Sequence, residues 1–376
     1  MNESEYKTPG QLIAALLKER GWSNRVLALV LGVKDPVVSK MVSGKRPVDA
    51  AMAVLLEEVF SIPAERFVGL QSSYDLAKAR IEVQPDPKRA TRAHIYGELP
   101  VPEMVRRGWI DVDDPRDPDV LETELCRFFR VNRIEDAGVF AFAAKQTNAS
   151  NEATPAQLAW LHRVKMIAGE MLVGSFSPQS LEGAISKIKA LRSHPEHMER
   201  VPRILAEAGI RFVIVEALPG AKIDGVCFWL DGRSPVIGMT LRFDRIDNFL
   251  FVLRHELEHV RRRDGLESPV LDVEIDGSTD DALELQEREA NAAAQEFCVP
   301  AKMMDAFIAR KAPYFSERDL IGFAKVLKVH PGLVAGQLQR RTGQYNKFRN
   351  HLAKVREFVV PAAEVDGWGD IHPIDT

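Results

Sequence analysis

The chain has 376 residues, a length that predicts two or three domains. Of these residues 45% are hydrophobic and 28% charged, and this composition excludes a disordered, collagen-like or coiled-coil protein. No apolar run reaches the roughly 18 residues that a membrane-spanning helix needs, and Met1 to Gly10 lack an apolar signal segment. The three cysteines are odd in number and too few for a disulfide scaffold. We therefore expect a cytoplasmic protein without membrane attachment.

Charge is unevenly distributed along the chain. The net charge is −4, yet residues 1–95 contain 14 basic and 11 acidic residues. Between Lys18 and Arg46 there are seven basic residues and only two acidic ones, Glu19 and Asp35. A basic window in an acidic protein is typical of a nucleic-acid-binding surface, although charge alone fits a solvated helix face equally well.

Residues 8–70 contain four groups of apolar residues with helical spacing, separated by glycines or by Pro63. Ser23 is predicted to cap the second helix. Residues 84–88 are rich in proline and predict a linker. The fourth helix is expected to bury Ala51, Val54, Leu55 and Val59.

The pattern changes in the middle of the chain. Residues 156–210 are predicted to be helical, and three segments that follow are predicted strands: Ile210–Val215, Gly225–Leu230 and Pro235–Thr240. The Asp231–Gly232 pair predicts a hairpin turn between the last two strands. A long helix is predicted to begin at Asp244, which is expected to cap it together with Asp247, and to end near Arg262.

That helix carries the sequence His255-Glu256-Leu257-Glu258-His259. Two histidines four residues apart lie on one face of a helix and can bind one zinc ion, while the intervening glutamate lies beside them to act on water. The preceding turns are almost wholly apolar, so the helix is expected to be buried, and buried imidazoles need polar partners. We therefore predict a metal site rather than a chance pair of surface histidines.

A third ligand is expected from a second helix, because a hydrolytic zinc site has three protein ligands and an open position. At about 100° per residue, Glu287 shares a face with small and apolar residues, whereas Glu289 points the opposite way, towards solvent. Glu284 lies about 60° from that face and remains an alternative. Asn291, one turn after Glu287, is a candidate partner for the ligand. The rest of the acidic segment from residue 267 to 289 is expected to be solvated.

The order of strand, hairpin, H-E-x-x-H helix and E-x-x-x-N, with a proline nine residues later, resembles the ImmA/IrrE metallopeptidases between about Ile210 and Pro300. The resemblance implies that His255, His259 and Glu287 bind Zn²⁺ and that Glu256 is the catalytic general base. The chain departs from the usual family pattern just after Asn291, where Ala293-Ala294 and Phe297-Cys298-Val299 stand. This departure alters packing around Glu287 rather than the ligand set.

The segment Lys34–Pro47, together with Trp22-Ser23 and Leu31-Gly32-Val33, resembles the helix-turn-helix of the XRE group, and its SGKRP ending is similar to HigA-type antitoxins. The match covers about residues 8–70. It implies a recognition helix from Pro36 to Val42 that lies in the major groove of a double-stranded DNA operator. Asp35 is expected to cap the start of this helix. The residues that we expect to contact DNA are Asn24, Arg25, Ser39, Lys40, Ser43, Lys45 and Arg46. A four-helix packing module that no longer binds DNA is the alternative.

These observations together predict an α+β, mostly helical protein. Its N-terminal domain is expected to be an all-α, lambda-repressor-like helix-turn-helix domain, joined to a zincin-like metallopeptidase domain with a small sheet. The predicted bounds are 1–80 for the DNA-binding domain, 81–155 for a linker and middle region, 156–310 for the metallopeptidase domain and 311–376 for a C-terminal helical region.

Two functions fit this organisation. The first is a homodimeric transcriptional regulator and zinc metallo-endopeptidase that cleaves a repressor or partner protein in a stress, phage or toxin–antitoxin circuit. Its substrate is expected to pair as an added strand along Gly225–Leu230 or Pro235–Thr240. The second is a HigA-type antitoxin or repressor, whose peptidase-like domain binds a cognate toxin or senses a signal without cleaving.

Overall fold

The computed structural model describes residues 6–82, 86, 88–137, 153–273 and 285–367. The chain divides into two compact units, Met1–Pro87 and Lys88–Thr376. None of the helices in these described ranges is long and apolar enough to cross a membrane.

The α-helices of the first unit are α1 (Pro9–Arg20), α2 (Asn24–Leu31), α3 (Asp35–Val42), α4 (Ala50–Phe60) and α5 (Ala64–Glu82). Those of the second unit are α6 (Arg89–Glu98), α7 (Val101–Arg106), α8 (Pro118–Phe129), α9 (Pro155–Glu170), α10 (Pro178–Leu191), α11 (Val201–Glu207), α12 (Ile246–Arg262), α13 (Leu285–Cys298), α14 (Ala301–Lys311), α15 (Glu317–Leu327), α16 (Pro331–Thr342) and α17 (Arg356–Val359). The strands are β1 (Arg211–Val215), β2 (Ile223–Trp229), β3 (Pro235–Met239), β4 (Val270–Val273) and β5 (Glu364–Asp366). The fold is therefore mostly helical with one small sheet, as predicted.

The first unit is an all-helical domain with its own core. The predicted cap is confirmed, because the Ser23 hydroxyl accepts a hydrogen bond from the Val26 N–H at 3.3 Å. Gly32 ends α2 with φ 67°, a left-handed conformation that glycine adopts without a steric cost. Gly10 allows α1 to approach α3, since a Cβ there would lie 2.5 Å from the carbonyl oxygen of Val42.

The predicted buried face of α4 is wrong. The helix buries Met52, Ala53, Leu56 and Phe60 instead, and Val54 and Leu55 are 48% and 36% exposed. The sequence of α4 is apolar on nearly every side, so its periodicity does not distinguish one face from the other.

The second unit is built around a five-stranded sheet with the order β4-β2-β3-β1-β5. The predicted hairpin is confirmed: β2 and β3 are antiparallel, with Cys227 opposite Ile237. β1 is parallel to β3 and β5, and β4 is antiparallel to β2. A substrate strand was predicted to pair along β2 or β3, which requires one of them to be an edge strand. That prediction is wrong, because both lie inside the sheet and the outer strands are β4 and β5.

Helices cover both faces of the sheet, and successive residues of β1 alternate between them. Phe212 and Ile214 pack with α12, whereas Val213 and Val215 pack with α9. Apolar residues of α12 fix it on its face of the sheet: Phe249, Leu250, Leu253 and Leu257. The long predicted helix therefore lies directly against β2 and β3.

Asp244 does not cap that helix, so the prediction was wrong on this point. α12 begins at Ile246 with Arg245 at the cap position and no side-chain cap. The Asp244 carboxylate instead accepts hydrogen bonds from the backbone N–H groups of Val355 and Arg356, at 3.0 and 2.7 Å. The Asp244 side chain, which the local pattern predicted as a cap, thus binds a distant segment of the chain instead.

Candidate metal centre and nucleic-acid interface

The two motif histidines face each other on α12. Their Nε2 atoms are 3.1 Å apart, and both side chains are fully buried. One helical turn separates them, and the packing of α12 against the sheet holds them in place. The helix thus presents two imidazole nitrogens to one point.

Glu287 on α13 reaches the same point. Its carboxylate oxygens lie 3.4 Å from Nε2 of His255 and 3.5 Å from Nε2 of His259. Glu289 has its side chain 45% exposed and pairs with Arg262. The alternative, Glu284, lies outside the described residues. Asn291 is buried on α13, one turn after Glu287.

The fourth member of this cluster, Asp272, was not predicted from the sequence. Asp272 on β4 places Oδ2 3.4 Å from Nε2 of His255 and 3.9 Å from Nε2 of His259. Its carboxyl group is buried. This corrects the expectation that, apart from Glu287, the acidic segment from residue 267 to 289 is solvated. The sequence pattern that could have predicted this strand was weak, because β4 is only four residues long.

Asp264 was also missed. Its Oδ2 atom lies 3.0 Å from Nδ1 of His259, so the carboxylate can accept a hydrogen bond from the Nδ1–H group and leave Nε2 facing the cluster. Arg263 ends α12 in the left-handed conformation with φ 63°, and this turn brings Asp264 back towards the histidine. A carboxylate behind an imidazole orients the ring and raises its basicity as a ligand.

Glu256 lies beside the cluster and is fully buried. Burial raises the pKa of its carboxyl group well above the usual value, and the neighbouring charge of Asp272 adds to the effect. The two carboxyl groups lie against each other, and they can share a hydrogen bond only when one of them carries a proton. The pKa of Asp272 is lowered because its contact with His255 outweighs burial.

The remaining charge in the site is negative. Burial opposes a charged His255, but Asp272 and Glu287 outweigh it and raise the pKa of His255 to about 9. Two carboxyl groups, those of Asp272 and Glu287, therefore lie against two imidazoles. A divalent cation would relieve the repulsion between the two carboxylates, and these imidazole and carboxylate donors can bind such a cation.

The spacing of the donors fits zinc. One atom each from His255, His259, Asp272 and Glu287 forms a group in which all four lie within 4.8 Å of one another. Ligands at about 2.0–2.2 Å from a tetrahedral zinc ion lie roughly 3.3–3.6 Å apart. The two Nε2 atoms are 3.1 Å apart, and the Glu287 oxygens lie 3.4 and 3.5 Å from them. Imidazole nitrogen and carboxylate oxygen are both common zinc ligands.

In the first unit, α2 and α3 form a helix-turn-helix around Gly32. Val38 and Met41 of α3 are buried, and Ser39 and Lys40 on its other side are exposed. The loop after α3 also exposes Ser43, Lys45 and Arg46, and Ser43 Oγ donates to the Lys40 carbonyl at 3.2 Å. Of the residues predicted at the start of α2, Arg25 is exposed and Asn24 is half-buried.

Asp35 does not cap α3, contrary to the prediction. Lys34 occupies the cap position without a side-chain hydrogen bond, and Asp35 is the first residue of the helix. A carboxylate in the first turn still interacts favourably with the helix dipole. The Asp35 carboxylate would still place a negative charge near the DNA phosphates, which opposes DNA binding.

Comparison with known protein families agrees with both units. A family model described as "Helix-turn-helix" matches residues 13–67. A second, described as "IrrE N-terminal-like domain", matches residues 206–338. The chain joins an XRE-type helix-turn-helix domain to an ImmA/IrrE-like peptidase domain. No curated protein matches it.

The matched ranges contain the features described above. The helix-turn-helix match covers α2 and α3 with the exposed basic residues, and the IrrE-like match covers the cluster around His255 and Glu287. The chain therefore combines a DNA-binding domain of a regulator with a peptidase-like domain.

Proposed function

We propose that this protein is a DNA-binding transcriptional regulator whose second unit is a zinc-dependent endopeptidase that cleaves a repressor or partner protein. One observation carries the proposal. Two buried histidines and two carboxylates converge within 4.8 Å, and a buried glutamate that belongs to no other ion pair of the described residues stands beside them. A purely structural metal site has no need of that glutamate.

His255, His259 and Glu287 are the proposed zinc ligands. A zinc ion at this position supplies Lewis acidity that polarises the scissile carbonyl group. Asp264 orients His259 through its contact of 3.0 Å with Nδ1, and Asn291, one turn after Glu287, is the candidate partner of that ligand.

Glu256 is the proposed general base and acid. Its carboxylate accepts a proton from the attacking water and then delivers it to the leaving amine. The raised pKa of this buried group suits it to hold that proton during the reaction. Because Glu256 is not among the metal-donor atoms, its loss is expected to stop the chemistry without releasing the metal.

The first unit is proposed to bind a double-stranded operator through α3, as a homodimer on paired half-sites. Lys40, Lys45 and Arg46 are exposed, and none of their ammonium or guanidinium groups is engaged in an ion pair within the described part of the unit. They are therefore available to phosphates, while Ser39 on the same face is the candidate for base contact.

A second candidate is an antitoxin-like repressor that binds a toxin or other partner without cutting it. The exposed loop from Ser43 to Pro47, with its HigA-like sequence, favours this reading. The two candidates differ in whether Glu256 has a chemical role.

The experiment is a comparison of new protein N-termini in cells that carry the wild-type chain or Glu256→Gln at equal abundance. The peptidase proposal expects at least one cleavage product that is present with the wild type and absent with Glu256→Gln. Glu289→Gln serves as the matched control, because it makes the same chemical change on an exposed side chain. Identical N-termini in all three strains, under conditions in which the regulated gene is induced, would favour the repressor.

A further inference from the structure

Asp272 is a donor beyond the number that a hydrolytic zinc site requires. Its carboxyl group is 6% exposed, and its Oδ2 atom makes no hydrogen bond with any residue that the structure describes. The same atom lies 3.4 Å from Nε2 of His255. A buried carboxylate oxygen without a hydrogen bond is costly unless a cation or a donor satisfies it. The side chain is thus aimed into the metal-donor cluster.

A fourth protein ligand changes what the site can do. Hydrolytic zinc sites keep three protein ligands and an open position, whereas four protein ligands close the coordination sphere. With His255, His259 and Glu287 as the three, the carboxylate of Asp272 takes the open position. The Asp272 carboxylate also lies against Glu256. It therefore occupies the position beside the general base that an attacking water needs.

We propose that Asp272 is a displaceable fourth zinc ligand that keeps the peptidase closed until β4 moves away. This inference rests on the proposed zinc site and adds its regulation. The device is an acidic side chain of the same chain that competes with water and substrate for the metal.

The position of Asp272 in the fold suits a displaceable ligand. β4 is a four-residue strand at the outside of the sheet, and its register against β2 is interrupted between Ile223 and Gly225. Short, irregular outer strands separate from a sheet more readily than inner ones, because fewer hydrogen bonds and buried contacts hold them.

The other three donors are held more firmly. His255 and His259 lie on the 17-residue helix α12, whose apolar face forms the core of the unit. Glu287 lies on α13, which packs along α12. Movement of β4 therefore removes one ligand and leaves the three-ligand site intact.

The test uses the full-length protein loaded with Co²⁺, which replaces zinc and reports its ligands by visible absorption. The probe is acetohydroxamate, a small ligand for an open metal position. If the open state of the wild type is populated at roughly 1–10%, Asp272→Ala is expected to bind the probe about 10- to 100-fold more tightly. Its absorption spectrum is also expected to differ from that of the wild type before the probe is added.

Asp224→Asn is the matched control. Asp224 is a buried acid on the adjacent strand β2, 4% exposed, and it is ion-paired with Arg242 at 3.6 Å, outside the donor set. This variant is expected to bind the probe as the wild type does. Asp272→Asn, which keeps the shape of the side chain, covers the case in which the alanine variant does not fold, and it is expected to shift probe affinity in the same direction.

Equal probe affinity and equal cobalt spectra in the wild type and both Asp272 variants would overturn the inference and leave the zinc site standing. Failure of the wild type to bind cobalt or zinc at all would overturn the zinc site and this inference together. Metal content is measured on every sample, so the two failures are distinguishable.

Discussion

Gly225 on β2 and Glu256 on α12 are in direct contact, and no larger residue fits at position 225 beside this glutamate. A Cβ atom on Gly225 would lie 2.1 Å from Oε1 and 2.8 Å from Cδ of Glu256. The glycine therefore provides the space in which the proposed catalytic carboxyl group lies next to the metal-donor cluster.

We expect Gly225→Ala to lower peptidase activity about 100-fold, because displacement of a catalytic group by about 1 Å has an effect of that size. The added methyl group is also expected to destabilise the fold by about 1–3 kcal/mol. Zinc content is expected to stay unchanged, since the proposed ligands His255, His259 and Glu287 lie on α12 and α13. Asp272, which lies opposite Gly225 in the β2–β4 pairing, is not one of these three ligands. Gly232→Ala in the β2–β3 turn, where a Cβ meets nothing within 4 Å, is the control. Full activity in Gly225→Ala would show that the position of Glu256 does not matter.

Metal analysis of purified protein is expected to find about one zinc ion per chain, as for a single mononuclear site. His255→Ala and Glu287→Gln are expected to lose it, because each removes a donor atom from the cluster. Glu289→Gln is expected to retain zinc, since its side chain is exposed and pairs with Arg262. The reverse pattern, with zinc lost in Glu289→Gln and kept in Glu287→Gln, would refute the ligand assignment.

Asp264→Asn is expected to weaken zinc binding about 10- to 100-fold, which is the usual cost of removing the partner that orients a histidine ligand. Competition with a chelator of known affinity measures the change. Asp114→Asn is the control, because Asp114 is a surface residue that pairs only locally with Arg116, at 2.9 Å. Unaltered zinc affinity in Asp264→Asn would mean that the contact with His259 does not support the site.

The H-E-x-x-H helix and the inward position of Glu287 were predictable from sequence. Helical periodicity alone places residues 255 and 259 on one face, and it separates residue 287 from residue 289. Both are local properties of one helix. The structure agrees with each of them.

Features that depend on distant segments were not predictable. Asp272 lies in an acidic stretch without alternation, and only the pairing of β4 with β2 brings it to the histidines. Asp244 was assigned to a cap, but it binds a segment 111 residues further along the chain. The order of the strands likewise depends on long-range pairing, which is why β2 and β3 were mistaken for edges.

For the DNA-binding unit, Lys40→Ala, Lys45→Ala and Arg46→Ala are each expected to weaken operator binding. Each is also expected to reduce the slope of log affinity against log salt by about one, for the loss of one phosphate contact. Lys78→Ala is the control, because Lys78 is an exposed lysine of α5 that pairs with Glu82. Fluorescence anisotropy over a salt series measures both quantities.

Ser39→Ala is expected to change sequence preference rather than overall affinity if its hydroxyl contacts a base. Selection from a library of operator variants measures this preference. Unchanged binding in a triple Lys40/Lys45/Arg46 alanine variant would rule out α3 and its following loop as the recognition element.

The central claim is that Glu256 performs chemistry, and induction of the controlled gene in cells carrying Glu256→Gln tests it most directly. We expect this variant to keep its zinc, its thermal stability and its operator affinity, because Glu256 is neither a metal donor nor part of the first unit. The gene is then expected to remain uninduced, as cleavage no longer occurs. Normal induction in Glu256→Gln, together with disturbed regulation in His255→Ala, would contradict proteolysis and leave the metal a structural or sensory role.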